Sequence, residues 1–102
     1  YLTALRLKPD FAEAHNNLGI AYYNQNRLDE AIKEYLTALK IKPDYASVRN
    51  NLGNVYFTQG KIDDAIKEYS EALKFEPDYA DARYNHGNAY KVKGFKKRAD
   101  FK

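Results

Sequence analysis

Residues 46–79, ASVRNNLGNVYFTQGKIDDAIKEYSEALKFEPDY, form a unit that the chain contains more than once. An equivalent unit precedes it by 34 positions, so that Gly53 repeats Gly19 and Pro77 repeats Pro43. The other recurring pairs are Asn17 and Asn51, Leu18 and Leu52, Tyr22 and Tyr56, Ala31 and Ala65, Tyr35 and Tyr69, and Ala38 and Ala72. Self-similarity at a fixed period of about 20–50 residues is typical of proteins that stack one small structural unit. The repeat therefore determines how the rest of the chain is interpreted.

The recurring residues follow the order L-G-x2-Y, then A-x3-Y, then P, from Leu52 to Pro77. In this pattern of spaced residues, the chain resembles the tetratricopeptide repeat proteins over nearly its whole length. The resemblance implies an all-α fold in which antiparallel helix-turn-helix repeats stack as a right-handed α–α superhelix. We expect a single array with the end of a preceding repeat at 1–11, repeats at 12–45 and 46–79, and a partial, degenerate repeat at 80–102.

The apolar pattern and the turn residues predict two helices in each unit. First helices are expected at roughly 12–24, 46–58 and 80–92, ending near Asn26, Gly60 and Gly94, and second helices begin near Leu28, Ile62 and Phe95. Asn and Gly tolerate the left-handed conformation that ends many helices. Pro9, Pro43 and Pro77 are expected to end the second helices, because proline lacks an N–H group. The Asp after each proline, at positions 10, 44 and 78, is expected to cap the next helix.

Glycine recurs in the middle of the first helices, at Gly19, Gly53 and Gly87. Each such glycine costs about 1 kcal/mol relative to alanine. We expect the cost to be accepted because a neighbouring helix approaches closely there, opposite the alanines at 31, 65 and 99. A single helical hairpin cannot bury its whole apolar face, so the units must stack.

The last 23 residues depart from the repeat pattern. His86 stands where Leu18 and Leu52 stood, and Lys96 and Asp100 occupy positions that are apolar in the earlier copies. Either the last repeat is degenerate or its second helix is shifted.

Composition limits the class of protein further. The chain has 102 residues, of which 44% are hydrophobic and 30% charged, and it has no Cys. No run of about 18 apolar residues occurs, so no membrane span is expected. The first residues show no signal peptide and no initiator Met, which suggests a piece of a longer protein with a cytoplasmic location. The net charge of +3 conceals a basic end, because residues 80–102 carry seven basic and two acidic residues.

Little in the sequence indicates catalysis. His15 and His86 are far apart and have no Cys beside them, so His15 is interpreted as an interhelix packing residue and His86 as a core histidine. Paired carboxylates such as Asp63 and Asp64 lie in the first turn of a helix, where they complement its dipole. Glycine-rich phosphate motifs are absent. We therefore expect no enzyme activity, no metal and no cofactor in this chain.

The polar residues on the first helix of each unit are the best candidates for a binding site. The resemblance implies that this face lines the concave groove in which tetratricopeptide proteins hold extended peptides. The candidate groove residues are Asn16, Asn17, Tyr23, Asn24, Asn50, Asn51, Asn54, Phe57, Tyr84, Asn85, Asn88 and Lys91.

Asn17, Asn51 and Asn85 recur with the period and are expected to form a ladder along the groove. An amide side chain offers both a donor and an acceptor, so it can pair with a peptide backbone of any sequence. The row resembles the asparagine ladder in the repeat scaffold of the O-linked N-acetylglucosamine transferases. The alternative is that these amides cap locally or are solvated, while Tyr23, Phe57 and Tyr84 offer apolar anchors.

The carboxylate clamp, with which some members of the family hold an acidic C-terminus, fits this sequence poorly. Asn16 stands where that pattern has Lys, Ile20 where it has Asn, and Asp81 and Asn85 where it has Lys and Arg. A register shifted by one repeat improves the match only at Asn54 and Asn85.

The expected function is a protein-interaction scaffold that binds a protein or peptide partner. The first alternative is head-to-tail self-association into a continuous superhelix, because the chain starts and stops inside the same helix of the repeat. A second alternative is the targeting module of a larger enzyme. The basic end is interpreted as a solvated surface, and the helices carry no module that would favour nucleic acid.

Overall fold

A computed structural model describes the backbone of residues 8–100 and the side chains of residues 11–95. This part of the chain forms five helices and no strand: α1 (Lys8–Asn24), α2 (Leu28–Ile41), α3 (Ala46–Thr58), α4 (Ile62–Phe75) and α5 (Ala80–Asp100). Each helix packs against the next along the chain, and α3 also contacts α1 and α5. The overall extents of 59 × 29 × 17 Å are those of a short stack of hairpins. The predicted all-α repeat architecture is confirmed.

Each of the two hairpins, α1–α2 and α3–α4, closes where a tyrosine lies on a glycine. A Cβ atom built on Gly19 would lie 2.5 Å from Cε1 of Tyr35, and one built on Gly53 would lie 2.6 Å from Cε1 of Tyr69. The expected close approach is therefore present, but the group that fills the space is a tyrosine ring rather than the alanine. The pairing predicted for Ala99 falls outside the described side chains.

The largest apolar cluster of the described residues joins the first hairpin to α3. Val48, Leu52 and Val55 of α3 pack with Ala38 and Leu39 of α2. Leu52 is 1% exposed, whereas Leu18, its repeat equivalent on α1, is 44% exposed. Leu52 is covered by the helix that precedes α3, and the residues before α1 are not among those described.

The predicted ends of the first helices in the two complete repeats are confirmed. Asn26 has φ = 61° and Gly60 has φ = 80°, so both adopt the left-handed conformation just after α1 and α3. The predicted end near Gly94 and the separate helix from Phe95 are wrong, since α5 continues through Gly94 to Asp100. The residues after Gly94 include Lys, Arg and Ala, which favour helix, so the one glycine does not stop it.

The predicted Asp caps are also wrong. The residue before α3 is Tyr45, which makes no side-chain cap hydrogen bond, so Asp44 lies one position too early. Asp78 likewise precedes Tyr79, whose carbonyl accepts a hydrogen bond of 3.1 Å from the Arg83 N–H. Pro9 and Asp10 lie inside the first turn of α1 instead of before it. A proline fits there because the first N–H groups of a helix have no intrahelical acceptor.

The dipole partners predicted for the second helices are present. Asp29 and Glu30 lie in the first turn of α2, and Asp63 and Asp64 in that of α4. In α2 the Glu30 carboxylate also accepts a 2.7 Å hydrogen bond from Arg27, which holds the pKa of Glu30 below its usual value. None of the described helices is both long enough and apolar enough to cross a membrane.

Candidate functional site

Two amide pairs link α1, α3 and α5 along one face of the stack. The Asn51 Nδ2 donates a hydrogen bond of 2.9 Å to Oδ1 of Asn16. The Asn85 Nδ2 donates one of 3.1 Å to Oδ1 of Asn50. Asn16 and Asn50, the acceptors, occupy the same position in successive repeats. Each donor lies 35 residues later, in the next repeat, one position further along the repeat pattern. The same bond is therefore made twice with the period of the repeat.

The acceptors of these pairs are buried. Asn16 is 8% exposed and Asn50 is 5% exposed, although both were predicted to line the groove. A buried amide without a partner costs free energy, and here the hydrogen bond from the next repeat offsets that cost. Asn16 and Asn50 thus lie between the helices, where they brace the donors that lie nearer the surface.

Asn54 connects this face to the core of its own hairpin. Its Oδ1 accepts a 2.6 Å hydrogen bond from the hydroxyl of Tyr69 and a 3.2 Å bond from Nδ2 of Asn85. Burial raises the pKa of Tyr69, so its hydroxyl stays a donor. Sequence reasoning assigned Tyr69 to the core and Asn54 to the groove, and it missed the bond between them. Nothing in the sequence signalled this bond, because the contact of the Tyr69 ring with Gly53, the residue before Asn54, was itself not predicted.

Two side-chain hydroxyl groups form a further contact between α1 and α3. The Tyr23 hydroxyl and Oγ1 of Thr58 lie 3.0 Å apart, and Thr58 donates to the carbonyl oxygen of Asn54 at 2.9 Å. Thr58 was absent from the predicted site. Phe57, which was included, is partly buried against the cluster around Ile62 and Tyr69.

The remaining candidate residues are exposed on the same helices. Asn17, Asn24, Tyr84, Asn88 and Lys91 are exposed, and Asn51 and Asn85 are partly buried. We define the asparagine face by Asn17, Asn51, Asn54, Asn85 and Asn88, together with Tyr23 and Thr58. Asn51 and Asn85 donate through Nδ2, and no donor of the described residues reaches their Oδ1 atoms. Tyr84 is the repeat equivalent of the buried Asn50, but its own side chain is 71% exposed.

Each of the two histidines makes a hydrogen bond to the neighbouring helix. Nδ1 of His15 lies 2.7 Å from Oε1 of Glu34, which joins α1 to α2 as predicted for an interhelix residue. The partly buried His86 instead contacts Oγ of Ser70 at 3.0 Å and the edge of the Tyr90 ring. Among the described residues no group of three or more His, Cys, Asp or Glu is arranged to hold a metal ion.

An arginine occupies the position of His15 in the next repeat. Arg49 pairs with Glu68 at 3.2 Å across α3 and α4 and also donates to the carbonyl of Pro43. Arg83 repeats the second contact, because its guanidinium donates to the carbonyl of Pro77 at 2.7 Å. In the basic end, Nζ of Lys93 lies 2.9 Å from Asp63, which raises the Lys93 pKa. Lys96, Lys97, Arg98 and Lys102 lie outside the described side chains.

Comparison with known families gives one match, which recurs along the chain. A family model described as TPR repeat matches residues 1–26, 21–60 and 53–94. No curated protein matches the sequence significantly. The three matched segments together cover residues 1–94.

Several solved structures are similar to this one. The crystal structure of MamA is 32% identical and superposes with a TM-score of 0.79 over 86% of this chain and 52% of its own. The first TPR of Spaghetti (RPAP3), bound to the HSP90 peptide SRMEEVD, is 25% identical with a TM-score of 0.77, over 78% of this chain and 64% of its own. The second TPR of Spaghetti, at 18% identity and a TM-score of 0.84 over 95% of this chain and 90% of its own, shows the shared fold alone. The present chain thus spans about half the length of MamA.

Proposed function

The chain belongs to the tetratricopeptide repeat family, and on that basis we propose that it is a protein-interaction scaffold that holds an extended peptide segment along the asparagine face. The observation that carries the proposal is the pair of side-chain hydrogen bonds from Asn51 to Asn16 and from Asn85 to Asn50. These bonds fix two side chains at equivalent places on successive repeats.

The chemistry of the fixed amides suits a peptide backbone. With Nδ2 engaged, Asn51 and Asn85 each present Oδ1 to accept an N–H group from a ligand. An extended peptide offers such groups at regular intervals whatever its side chains are. Because the amides are already held by buried partners, binding costs less side-chain entropy than it would for free side chains.

Apolar contacts near the amides would supply affinity. Tyr23 and Phe57 lie at the same repeat position on α1 and α3, and both are partly buried with an accessible part. Aromatic side chains of this kind are common anchors at interfaces. Lys91 occupies the third copy of the position and favours a carboxylate at that end of the ligand.

The solved relatives support peptide binding as a class. The first TPR of Spaghetti is bound to a peptide of HSP90, and that peptide is acidic. The clamp pattern expected for an acidic C-terminus does not occur here, because Asn16 is buried, Ile20 is apolar and Asp81 is acidic. We therefore propose an internal, extended segment as the ligand of this chain. Such a scaffold would also serve as the targeting module of a larger enzyme.

The test is selection of peptides from a display library on the folded protein, followed by affinity measurement with the variant Asn17→Ala/Asn51→Ala/Asn85→Ala. We expect the variant to bind the selected peptides at least about tenfold more weakly, a loss of about 1.4 kcal/mol. The matched control is Lys33→Ala/Lys67→Ala, which changes exposed residues of α2 and α4. Circular dichroism of each variant shows that it is folded. Equal affinity in the folded triple variant would show that the asparagine face is not the site.

Self-association is a second candidate function. It is favoured by exposed aromatic side chains on α5, since Tyr84 is 71% exposed and Tyr90 is 52% exposed. A second copy packed against α5 would cover them. Sedimentation at increasing concentration is the test, with Tyr90→Glu as the disrupting variant. A monomer at all concentrations would eliminate this candidate.

A further inference from the structure

Helix α2, the second helix of the first hairpin, presents an apolar side chain between two basic ones. Leu36 is 49% exposed. Lys33 and Lys40, three residues before it and four after it, lie on the same face of the helix. The equivalent of Leu36 on α4 is Ser70, so a hairpin of this repeat folds without an apolar side chain at that position. Leu36 is therefore available to a ligand.

A cleft of about 450 Å³ lies beside this leucine, where α2 meets the start of α3. It is lined by Lys33, Leu36, Thr37, Leu39, Lys40 and Arg49. The helices before and after α2 are both described, so the cleft lies within the stack and not at either end of it. The Thr37 hydroxyl donates to the carbonyl oxygen of Lys33 at 2.9 Å, so this hydroxyl hydrogen is already engaged. The floor of the cleft is therefore mainly apolar.

The rim of the cleft is positively charged. Its lining contains three basic residues and no acidic one. The charge of Arg49 is balanced, because its guanidinium pairs with Glu68 at 3.2 Å. Lys33 and Lys40 are exposed, and neither takes part in an ion pair within the described part of the chain. Two ammonium groups thus remain to pair with carboxylates of a ligand.

The spacing of the two lysines favours a helical ligand. They are seven residues apart on a helix, which corresponds to about 10.5 Å along its axis. In an extended segment the side chains of one face recur every 6.6 Å or so, so carboxylates about 10 Å apart would lie on opposite faces. In a helix the residues i, i+3, i+4 and i+7 lie on one face. A helix therefore matches the order of Lys33, Leu36 and Lys40, and an extended segment does not.

We propose that this cleft binds an acidic amphipathic helix of a partner protein with the pattern Glu-x2-Leu-Leu-x2-Glu, in which Asp can replace Glu. The two carboxylates pair with Lys33 and Lys40, and the two leucines pack on Leu36. Charge complementarity fixes the ends of the helix on the cleft, and the apolar contact between them supplies affinity.

A second copy of this chain does not fit the cleft, because its helices lack the pattern. Asp64 and Glu71 are the acidic residues that lie seven positions apart within one described helix. Between them stand Lys67 and Glu68, where the pattern has two apolar residues. The partner is therefore a protein of different sequence.

The cleft shares no residue with the asparagine face, and its ligand does not depend on the proposed function. The variant Asn17→Ala/Asn51→Ala/Asn85→Ala is expected to keep the helical ligand. Lys33→Ala/Lys67→Ala, which is expected to keep the extended peptides, should weaken the helical one. The two variants thus distinguish failure of one site from failure of the other.

The probe is an end-capped, alanine-based peptide of about 18 residues, long enough to be helical alone, that carries the pattern once. It is labelled for fluorescence anisotropy with the whole protein. We expect saturable binding that weakens as salt is added, because exposed charges are screened. Changing both peptide Glu residues to Gln, or both Leu residues to Ser, is expected to weaken binding several-fold.

The decisive protein variant is Lys33→Glu/Lys40→Glu, which is expected to weaken binding at least about tenfold. Leu36→Ser gives α2 the residue that α4 has, so we expect it to fold and to bind several-fold more weakly. The matched control is Lys67→Glu/Lys74→Glu, which changes the exposed repeat equivalents on α4 by the same charge. Circular dichroism shows that each variant is folded.

Each result supports or overturns the site. Binding that is lost with Lys33→Glu/Lys40→Glu and retained with Lys67→Glu/Lys74→Glu supports it. Equal weakening by both double variants overturns it, since the peptide would then respond only to the total charge of the protein. Absence of binding to the unchanged protein also overturns it. Equal binding of a peptide of the same composition with a central proline overturns the choice of a helix, because proline disrupts a helix interior.

Discussion

The ring of Tyr69 lies against the backbone of α3 at Gly53, so closely that a Cβ atom there would be 2.6 Å from Cε1. Contacts this short do not occur between a real Cβ and a buried ring, and the ring has no room to withdraw because it is 1% exposed. The glycine is therefore required by packing, although it weakens the helix that contains it. The hairpin α3–α4 contains a poor helix former at this position because a larger residue would prevent the close contact between the two helices.

We predict opposite effects of one substitution at two repeat-equivalent sites. Gly53→Ala is expected to lower the free energy of unfolding by about 1–3 kcal/mol, because the new methyl group overpacks the hairpin. Gly87→Ala is expected to raise it by up to about 1 kcal/mol, because alanine is the better helix former and meets open space. Urea unfolding followed by circular dichroism measures both values. Equal signs for the two substitutions would contradict the packing argument.

The amide pair between Asn50 and Asn85 is predicted to couple the second and third repeats energetically. Asn50→Ala is expected to destabilise by about 1–3 kcal/mol, because it removes a buried acceptor and leaves the Asn85 donor with only its 3.2 Å hydrogen bond to Asn54. A double-mutant cycle with Asn85→Ala should give an interaction energy of about 0.5 kcal/mol or more. Asn24→Ala, at an exposed position, is the control and should change stability by less than about 0.5 kcal/mol. Strictly additive effects would show that the 3.1 Å bond does not hold the repeats together.

Stability is predicted to fall in alkaline solution because of the buried tyrosines. Burial raises the pKa of Tyr35 to about 12, and the pKa of Tyr69 is raised for the same reason. Unfolded tyrosine ionises near about pH 10, so above this pH the unfolded chain loses protons that the folded chain keeps. The contribution is complete below about pH 10 and is lost as the pH rises through the folded pKa values, at about 1.4 kcal/mol per unit for each group.

Denaturant unfolding at a series of pH values, with tyrosinate absorbance as a second signal, measures this loss. Tyr35→Phe is the matched control, because it keeps the ring on Gly19 and removes the ionisable group. Its stability should depend less steeply on pH in the alkaline range. Parallel curves for the two proteins would show that Tyr35 does not contribute.

The helical hairpins and their order were predictable because the period of 34 residues places the same apolar residues on the same faces. Leu52 and Tyr69 are buried as that pattern requires. The left-handed conformation at Asn26 and Gly60 was predictable too. Each of these residues is followed closely by a new helix whose first turn carries two acidic side chains.

Gly94 shows why the same residue type gave a wrong prediction elsewhere. The residues that follow it, Lys96, Lys97 and Arg98, would place positive charge at the start of a new helix, where the dipole disfavours it. At the end of a continuous α5 the same charges are favourable. The charge order in the sequence therefore contained the information, and the glycine alone did not.

The burial of Asn16 and Asn50 was not predictable from local pattern. A polar residue on a helix indicates exposure unless a partner is known, and the partner of each lies 35 residues away on another helix. Periodicity identified the recurring asparagines, but which of them are buried acceptors and which are partly buried donors depends on how α1, α3 and α5 pack. The function of the face stays a prediction for a related reason, since periodicity does not specify which amide oxygens a ligand would use.

The offset of 35 residues in the amide pairs has a consequence for how such a protein changes length. Removing residues 46–79 would move Asn85 to the place of Asn51, facing Asn16, and inserting one more copy would create one more pair. Gain or loss of a whole unit thus leaves an amide pair at each remaining junction between these repeats, whereas a gain or loss of another length within a helix moves an asparagine away from its partner. Gene duplication and unequal recombination at the repeat period would therefore yield folded arrays of different sizes without a compensating substitution.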